Sequence, residues 1–427
     1  MPERRPDASA HDGRREGLRD LPASVLALAA VGWMASRGLW GVPRGVWALA
    51  AVGVGLRLAA VRLLFDPSPD AFREFGAIAE NVWAGRGFAY AHVPGPPVPS
   101  AYMPPGYVAL LVPFQAIADA GARLGAVLSF QAAVGGLTAV LAWAVARRWA
   151  GEAAGWAAAA LFATLPALVA SAAIVSPVAA VHAGALGAFA LLAPRPERIG
   201  RAAALGGTLA GLVLLRSEMA LFAALVVVLL GAERRWRTAL VVALVVAAGV
   251  GPWIARNAAV LGRPALSTGL GFNLLRGHNP DFISSWTDAE AAEAVAALPL
   301  DRRFESRMES IYRARALDHI RDDPARSLRW GAVKVARLWV LDTPDPRAWH
   351  PLHLASVALF LTLTLLGALH ARPPPEAWLY AATATLAAAV FFAFARHQVL
   401  LMGALTPVMG AGVAALLSRL SPHAQGA

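Results

Sequence analysis

The sequence predicts an all-α polytopic membrane protein. Of its 427 residues, 58% are hydrophobic and only 15% are charged. A soluble chain of this length has about a quarter of its residues charged. Apolar runs long enough to cross a bilayer recur between residues 46 and 417, separated by polar or proline-containing breaks. These two observations predict a helical bundle of roughly 9–12 spans with an external helical region.

The apolar runs also predict the individual spans. Residues 107–118 are apolar but short, which predicts a half-helix that dips into the membrane. The runs on either side of Arg216 are short too, and they fit either two short spans or one broken hairpin. The run 21–40 contains Arg37 and fits either a span or an interfacial helix. The predicted spans, including this short pair, are 46–65, 124–145, 153–172, 178–192, 203–215, 219–230, 238–254, 352–369, 378–394 and 399–417.

The same distribution divides the chain into segments. The first 20 residues mix arginine with acidic residues and have no apolar face, which predicts disorder. The predicted segments are a cytoplasmic tail at 1–20, an N-terminal transmembrane module at 21–255 with an external loop at 66–107, an external helical region at 256–350, C-terminal transmembrane helices at 351–418 and a tail at 419–427.

Positive charge predicts the orientation of the bundle. Arginines concentrate in alternate short loops, and the positive-inside rule places such loops in the cytoplasm. These loops contain Arg147 and Arg148, then Arg195, Arg198 and Arg201, then Arg234, Arg235 and Arg237. The other loops, which carry most of the unusual polar groups, are therefore predicted to face outward.

Charge and cysteine content exclude several kinds of function. The net charge is +11, but Lys334 is the only lysine and the arginines are scattered, so nucleic acid is not a predicted partner. Membrane lipids are predicted to surround the chain instead. The chain has no cysteine, which excludes disulfides, thiol catalysis and cysteine-based metal sites.

The loop 66–107 carries the first candidate residues. Asp70 and Glu74 are four residues apart, so both carboxylates would share one face of a helix at the membrane surface. A carboxylate at that boundary can act as a base, whereas an Asp after Ser68-Pro69 can equally cap a helix. Glu74 could assist Asp70, hold a metal or lie on a solvated face. Asp66 fits a simple helix end.

Polar groups interrupt the apolar pattern at further points on the predicted outer side. Arg216 and Glu218 would be costly at membrane depth, which suggests function, although they could pair with each other. Arg396 and His397 join the last two predicted spans, where an arginine can reach a phosphate or extend harmlessly to the headgroups.

The segment 251–280 combines features that suit anion binding. Arg256 offers a planar cation, and Ser267, Thr268 and the nearby glycines could supply hydroxyl and backbone donors. A glycine-rich loop is also often a simple turn. His278 with Asn279 and Asp281 resembles a set of metal ligands, but no second histidine follows at ligand spacing.

The order of these motifs resembles the GT-C membrane glycosyltransferases, specifically the family 39 type of protein O-mannosyltransferases and aminoarabinose transferases. The resemblance covers nearly the whole chain. It rests on Asp70 after an early span, FGAIAENVWAGRGF at 75–88, PPGY at 104–107, GLVLLRSE at 211–218, PWIARN at 252–257, STGLGFNLLRGHNP at 267–280 and RHQVLLMGALTP at 396–407.

The resemblance implies an inverting transfer of a hexose or pentose from a polyprenyl-phosphate donor. The acceptor would be a lipid, a glycan or a protein on the outer face of a bacterial inner membrane. Asp70 would deprotonate the acceptor hydroxyl with help from Glu74, while Arg256 and Arg396 would neutralise the leaving phosphate. The other implied substrate-binding residues are Tyr107, Arg216, Glu218, Asn257, Asn273 and His397. The sequence names no cofactor, and a divalent metal ion stays an open alternative.

The sequence departs from this family at three points. Many relatives have an acidic residue in an external turn where this chain has Ile174-Val175-Ser176-Pro177. Phe75 stands where relatives usually have a tyrosine after the first-loop acid. The interval between Asp70 and Phe75 is also about one residue longer than is commonest in the family. These differences leave the acceptor and any metal requirement open.

Two other functions also fit a helical bundle with outward arginines. A transporter or flippase for a lipid-linked anion is the main alternative, although such proteins typically contain repeats with interrupted helices, which are not evident here. A scaffold without catalytic activity is the third, but it gives no reason for Asp70, Arg256 and Arg396 to lie on one side.

Overall fold

The computed structural model describes residues 41–65, 73–193, 195–280, 288–343, 345–392 and 394–420. Asp66, Asp70 and the run 21–40 lie outside these residues, as do residues 1–20 and 421–427 of the two predicted tails. The described part is almost entirely helical, which confirms the all-α polytopic class. Its only strands form a two-stranded antiparallel ribbon, in which Ala89 pairs with Pro99 and Tyr90 with Val98.

The helices are numbered here in chain order. They are α1 Arg44–Leu64, α2 Arg73–Trp83, α3 Pro105–Leu111, α4 Ala120–Ala150, α5 Glu152–Thr164, α6 Pro166–Ala170, α7 Val178–Leu192, α8 Ile199–Leu215, α9 Met219–Ala232, α10 Trp236–Leu261, α11 Leu270–His278, α12 Ala289–Ala296, α13 Phe304–Asp322, α14 Pro324–Trp339, α15 Pro351–Ala371, α16 Pro375–Val390, α17 Ala395–Ala404 and α18 Thr406–Leu420. The ribbon strands are β1 Ala89–Tyr90 and β2 Val98–Pro99, and short 3₁₀ helices occupy Val112–Ala116, Ser171–Ala173 and Pro346–Trp349.

Several helices are long and apolar enough to cross a membrane. Among the described residues these are the four helices α1, α4, α10 and α15, or up to six spans if two bent pairs each count as one. Helices α7, α8 and α9 are apolar but shorter. The chain is therefore a multi-pass membrane protein.

The loops collect at two ends of the bundle. At the arginine-rich end, Arg148 donates to the carbonyl oxygens of Ala190 and Ala193, and Arg195 pairs with Glu233 and Glu376. At the opposite end, which we call the loop end, the segment 73–116 meets the segment 262–343 and the ends of several helices. The described candidate residues lie in loops or at helix ends of the loop end, apart from Arg256 and Asn257 inside α10.

Two predicted spans are broken, which corrects the prediction of continuous helices over 153–172 and 399–417. Helices α5 and α6 meet at 47°, and α17 and α18 meet at 60°. Each break precedes a proline, Pro166 or Pro407, whose nitrogen cannot donate to the carbonyl four residues earlier. The predicted span 378–394 also ends early, at Val390, and Arg396 and His397 lie in the first turn of α17.

The carbonyl groups freed by these breaks find other partners. Arg57 of α1 is buried, and its guanidinium donates to the carbonyl oxygens of Phe162 at 2.8 Å and Ala163 at 3.2 Å. Gly135 leaves room for this side chain, because a β-carbon there would lie 2.8 Å from Arg57 Nε. At the second break, the Thr406 hydroxyl donates to Gly403 O at 2.8 Å. Side chains thus satisfy backbone groups that have no water available.

Replacing Arg57 with methionine should destabilise the protein. The carbonyls of Phe162 and Ala163 would lose their donor inside the bundle, and each unsatisfied group costs about 1–3 kcal/mol. We expect a clear drop in the thermal unfolding midpoint of the detergent-solubilised protein. Arg44→Met is the matched control because Arg44 is exposed at the start of the same helix. Equal midpoints for the two variants would contradict this role for Arg57.

Candidate active site

The ribbon β1–β2 is fixed to the membrane helix α10 by Arg256. Its Nη1 donates to Ser100 O at 2.6 Å and its Nη2 donates to Phe88 O at 3.0 Å. The guanidinium carbon also lies 5.1 Å from the Trp253 ring centroid and 5.8 Å from that of Phe88. Arg256 was predicted to bind the leaving phosphate. In the structure its guanidinium instead donates to backbone carbonyls at the two ends of the ribbon.

Other members of the PWIARN and STGLG motifs also make internal contacts. Asn257 is fully buried, and its amide donates to Ala265 O at 2.7 Å. Ser267 donates to Tyr102 O at 2.7 Å, and the Thr268 hydroxyl donates to the Glu305 carboxylate. The hydroxyls that suggested anion binding are thus engaged in holding the loop end together.

Glu305 of α13 is the centre of this internal network. Its carboxylate is completely buried and accepts hydrogen bonds from Ala101 N at 2.7 Å and from the Thr268 hydroxyl, and it pairs with His92 Nε2 at 2.6 Å. A buried carboxylate needs such partners because an isolated charge is costly in the protein interior. Glu305 thereby connects the loop after β2 to α13.

Arg276 and Arg396 approach each other at the centre of the loop end. The guanidinium carbon of Arg276 lies 4.9 Å from the Phe392 ring centroid and 4.5 Å from that of Phe394. Arg396 lies 5.4 Å from the same Phe394 ring. Both cations therefore lie over the same aromatic ring. Burial and, secondly, the positive charge of Arg396 together lower the pKa of Arg276 to about 9.

The backbone explains how Arg276 reaches this position. Gly277 follows it in the last turn of α11, and a β-carbon there would overlap the carbonyl group of Phe391. The glycine lets α11 end directly against the segment that follows α16. Arg276 and the rings of Phe392 and Phe394 consequently lie together.

Glutamates surround this pair of cations. Glu74, in the first turn of α2, interacts electrostatically with Arg276 and Arg396. Glu218 accepts a hydrogen bond from Arg216 Nε, and this ion pair lies close enough to act on Arg396. Among the described residues, the cluster thus contains three arginines and two glutamates, and one glutamate is already paired directly with Arg216.

Tyr102 and His397 complete the edge of the cluster. Tyr102 is partly buried, and its pKa is raised first by burial and then by the negative charge of Glu74. The His397 ring stacks near that of Phe394 at 5.8 Å, and its Nδ1 accepts a hydrogen bond from Phe394 N at 3.0 Å. His397 thereby holds the aromatic residue that both arginines contact.

Tyr107 connects the cluster to the turn at residues 174–177. Its hydroxyl donates to Gln131 Oε1, which also accepts from Ser176 N at 3.0 Å, while Gln131 Nε2 donates to Ile174 O at 3.1 Å. The Phe75 ring packs edge-on against Tyr107 at 5.0 Å. An amide side chain on α4 therefore holds this turn in the absence of an acid.

The structure brings some predicted residues together and separates others. Glu74, Arg216, Glu218, Arg396 and His397 share one cluster, with Tyr107 adjoining through Phe75. Arg256 and Asn257 lie at the ribbon contact. Asn273 is partly buried on α11, one turn before Arg276.

Sequence reasoning missed Arg276, although it lies in the quoted motif LLRGHNP. The available signal was an arginine between two leucines and a glycine, a charged residue in an apolar setting. His92 and Glu305 were missed too, because 213 residues separate them in the chain.

No predicted metal site assembles in the described residues. Groups of three or more His, Asp or Glu side chains close enough to bind a metal are absent from the described part of the chain. His278 Nε2 lies 2.9 Å from Val390 O, so that nitrogen contacts the backbone. Asp281, the third member of the suggested set, lies outside the described residues.

Comparison with known proteins shows the fold. No family model matches the sequence, and no curated protein matches it. The structure is similar to the archaeal oligosaccharyltransferase AglB from Archaeoglobus fulgidus, solved with an inhibitory peptide and a dolichol-phosphate. That match has a TM-score of 0.51 and 14% identity, and it covers 90% of this chain and 51% of AglB. The chain thus spans about half the length of AglB.

A second match is to ArnT from Cupriavidus metallidurans. The form bound to undecaprenyl phosphate gives a TM-score of 0.40 at 15% identity, covering 88% of this chain and 79% of ArnT. The apo form gives the same TM-score and identity over 92% and 80% of the two chains. The match to AglB shows that the chain has the GT-C fold, as the motifs predicted. The narrower family 39 type stays a prediction.

Proposed function

We propose that this GT-C chain is an inverting glycosyltransferase that moves a sugar from a polyprenyl-phosphate donor to an acceptor. The acceptor is a lipid, a glycan or a protein. The loop end faces outward from a bacterial inner membrane, because the arginine-rich end meets the positive-inside rule for the cytoplasm. The observation that carries the proposal is that the guanidinium groups of Arg276 and Arg396 both lie over the Phe394 ring.

This pair suits a lipid phosphate. Two guanidinium groups repel each other in a partly buried setting, and an anion between them relieves that repulsion. Glu74 acts electrostatically on both cations, and Glu218, which is paired with Arg216, also acts on Arg396. Guanidinium groups also match phosphate oxygens in geometry, and cation–π contacts with fixed rings hold them in place.

The reaction gains from cations at this position. When the bond between the sugar carbon and the phosphate oxygen breaks, the bonding electrons stay on that oxygen and the phosphate gains negative charge. Preorganised cations stabilise such developing charge in the transition state. We assign this role to Arg276 and Arg396, since Arg256 already donates to Ser100 O and Phe88 O.

Asp70 is the proposed base. It would accept the proton of the acceptor hydroxyl while the hydroxyl oxygen attacks the anomeric carbon from the face opposite the phosphate, which inverts the configuration. Four residues separate Asp70 from Glu74, so the chain limits the distance between their Cα atoms to about 15 Å. Glu74 lies in the cluster, and this covalent limit keeps Asp70 near it.

A function in lipid transport has one observation in its favour. The two bent helix pairs resemble the interrupted helices with which transporters bind substrates. Both breaks, however, are closed by the internal contacts of Arg57 and Thr406. A flippase would move an intact donor across the bilayer, whereas a transferase would separate sugar from lipid.

Transfer of a labelled sugar tests the proposed function. Purified protein in proteoliposomes would receive polyprenyl phosphates carrying labelled hexoses or pentoses, together with a membrane extract as a source of acceptors. We expect label in a lipid, glycan or protein fraction and an equal quantity of free polyprenyl phosphate. Label that crosses the bilayer still attached to the polyprenyl phosphate would favour the flippase instead.

Arg256 should behave as a residue that holds the loop. Arg256→Gln removes three hydrogen bonds from a charged donor, to Ser100 O, Phe88 O and Asn257 Oδ1, each worth about 1.5–3 kcal/mol, so the unfolding midpoint should fall. The folded fraction should keep most of its transfer rate. Arg237→Gln on the same helix is the control because Arg237 is exposed. A normal midpoint with lost donor binding would instead place Arg256 at the phosphate.

A further inference from the structure

Helix α14 has the reverse of the usual amphipathic pattern. On the side facing the protein, Lys334 is 0% exposed and Arg337 is 7% exposed. On the outer side, Leu328 is 79% exposed and Val333 is 40% exposed, with exposed Ala332 and Ala336 between and after them. A helix in contact with water buries its apolar side and exposes its charges. Contact with water is therefore unfavourable for the apolar outer side of α14.

The buried charge on α14 has a clear structural reason. The Lys334 ammonium donates to the carbonyl oxygens of Gly277 and Phe391, each at 3.1 Å. These groups lie at the C-terminal ends of α11 and α16, where unpaired carbonyls and the helix dipole give partial negative charge. These hydrogen bonds fix the rotation of α14 about its axis with Lys334 facing the protein. Leu328 and Val333, on the opposite side of the helix, therefore face outward.

The neighbours of α14 belong to the membrane part of the bundle. The Trp339 indole donates to Thr385 Oγ1 of α16 at 3.0 Å, and Lys334 Nζ lies 3.4 Å from Val390 O. These contacts show that α14 and α16 are antiparallel. The Trp339 ring also stacks on Phe360 at 5.9 Å, nine residues inside the candidate span α15.

The outer surfaces of these helices are continuous. Leu386 and Val390 of α16 are 52% and 45% exposed, and Leu359 of α15 is 44% exposed. They adjoin the residues that contact α14, so the apolar surface of the spans extends onto Val333 and its neighbours. Such an extended apolar surface marks a contact with another apolar phase.

We infer that α14 lies in the bilayer with its outer side against lipid acyl chains. It thus seats the external helical region on the membrane. The exposed Arg329, beside Leu328 on this side, can extend to the headgroup phosphates. This inference depends only on α14 and its neighbours, so it holds whether or not the chain transfers sugars.

Spin labels test this contact, and the absence of natural cysteines makes single-site labelling direct. Leu328→Cys, Val333→Cys and Ala336→Cys would be labelled in nanodiscs that hold one chain each. Collision rates with oxygen, which concentrates in lipid, and with a water-soluble nickel chelate would then be measured. Leu365→Cys, exposed on the span α15, is the lipid control, and Glu293→Cys, exposed on the external helix α12, is the water control.

The oxygen-to-nickel ratio at all three α14 positions should match that at Leu365 and exceed that at Glu293 severalfold. Nickel access equal to that at Glu293 would overturn the inference, because the outer side would then face water. Low access to both reagents would overturn it as well, since a protein surface would cover α14. Because three separate positions are labelled, failure of one variant to fold leaves the test intact.

Discussion

Asp70→Asn should lower the turnover rate of sugar transfer by about 10²–10⁴-fold, the usual contribution of a general base. Asparagine has nearly the same shape but cannot take the acceptor's proton. Donor affinity should change little, because the phosphate contacts Arg276 and Arg396 instead. Turnover and donor affinity would be measured separately, with labelled donor in proteoliposomes.

Asp66→Asn is the matched control for this change. Asp66 lies in the same loop and fits a helix end, so its variant should transfer sugar at nearly the wild-type rate. If Asp70→Asn transfers as fast as wild type, Asp70 is not the base and the proposed single displacement is wrong.

Loss of either central arginine should have the second largest effect. Arg276→Gln or Arg396→Gln removes a cation from the position where charge develops, and loss of one such group costs about 10²–10³-fold in turnover. Affinity for polyprenyl phosphate should fall too, because the same cations bind the product. Turnover and the binding of polyprenyl phosphate would both be measured for each variant.

Conservative changes sharpen this prediction. Arg276→Lys keeps the charge but loses the planar group that packs on Phe392 and Phe394, so it should recover only part of the turnover. Arg302→Gln, exposed in the external region, is the control. Unchanged product binding in both Arg276→Gln and Arg396→Gln would exclude them as the phosphate site.

The fold was predictable because membrane spans leave a strong local signal. A run of apolar residues has few alternatives to a helix in a bilayer, so the class follows from composition and run length. The breaks at Pro166 and Pro407 were also open to prediction, since proline removes a helical donor wherever it occurs. The side chain that satisfies the carbonyls at the Pro166 break could not be predicted, because Arg57 lies on a helix more than 100 residues earlier in the chain.

The site was harder to predict because contacts between distant segments decide it. The motif PWIARN indicated Arg256, and nothing near it in sequence reveals that Phe88 and Ser100 accept its hydrogen bonds. Arg276 carried the weaker signal, yet Gly277 and the rings after α16 place it beside Arg396. A sequence motif gives the kind of side chain, whereas packing decides where its donors are used.

The central claim is that this protein separates a sugar from a polyprenyl phosphate and passes it to an acceptor. The most direct measurement counts free polyprenyl phosphate and labelled acceptor together, in proteoliposomes with wild type or Asp70→Asn. We predict equal amounts of both products with wild type and neither with Asp70→Asn above background. Release of polyprenyl phosphate without labelled acceptor, or equal product from both proteins, would contradict the claim.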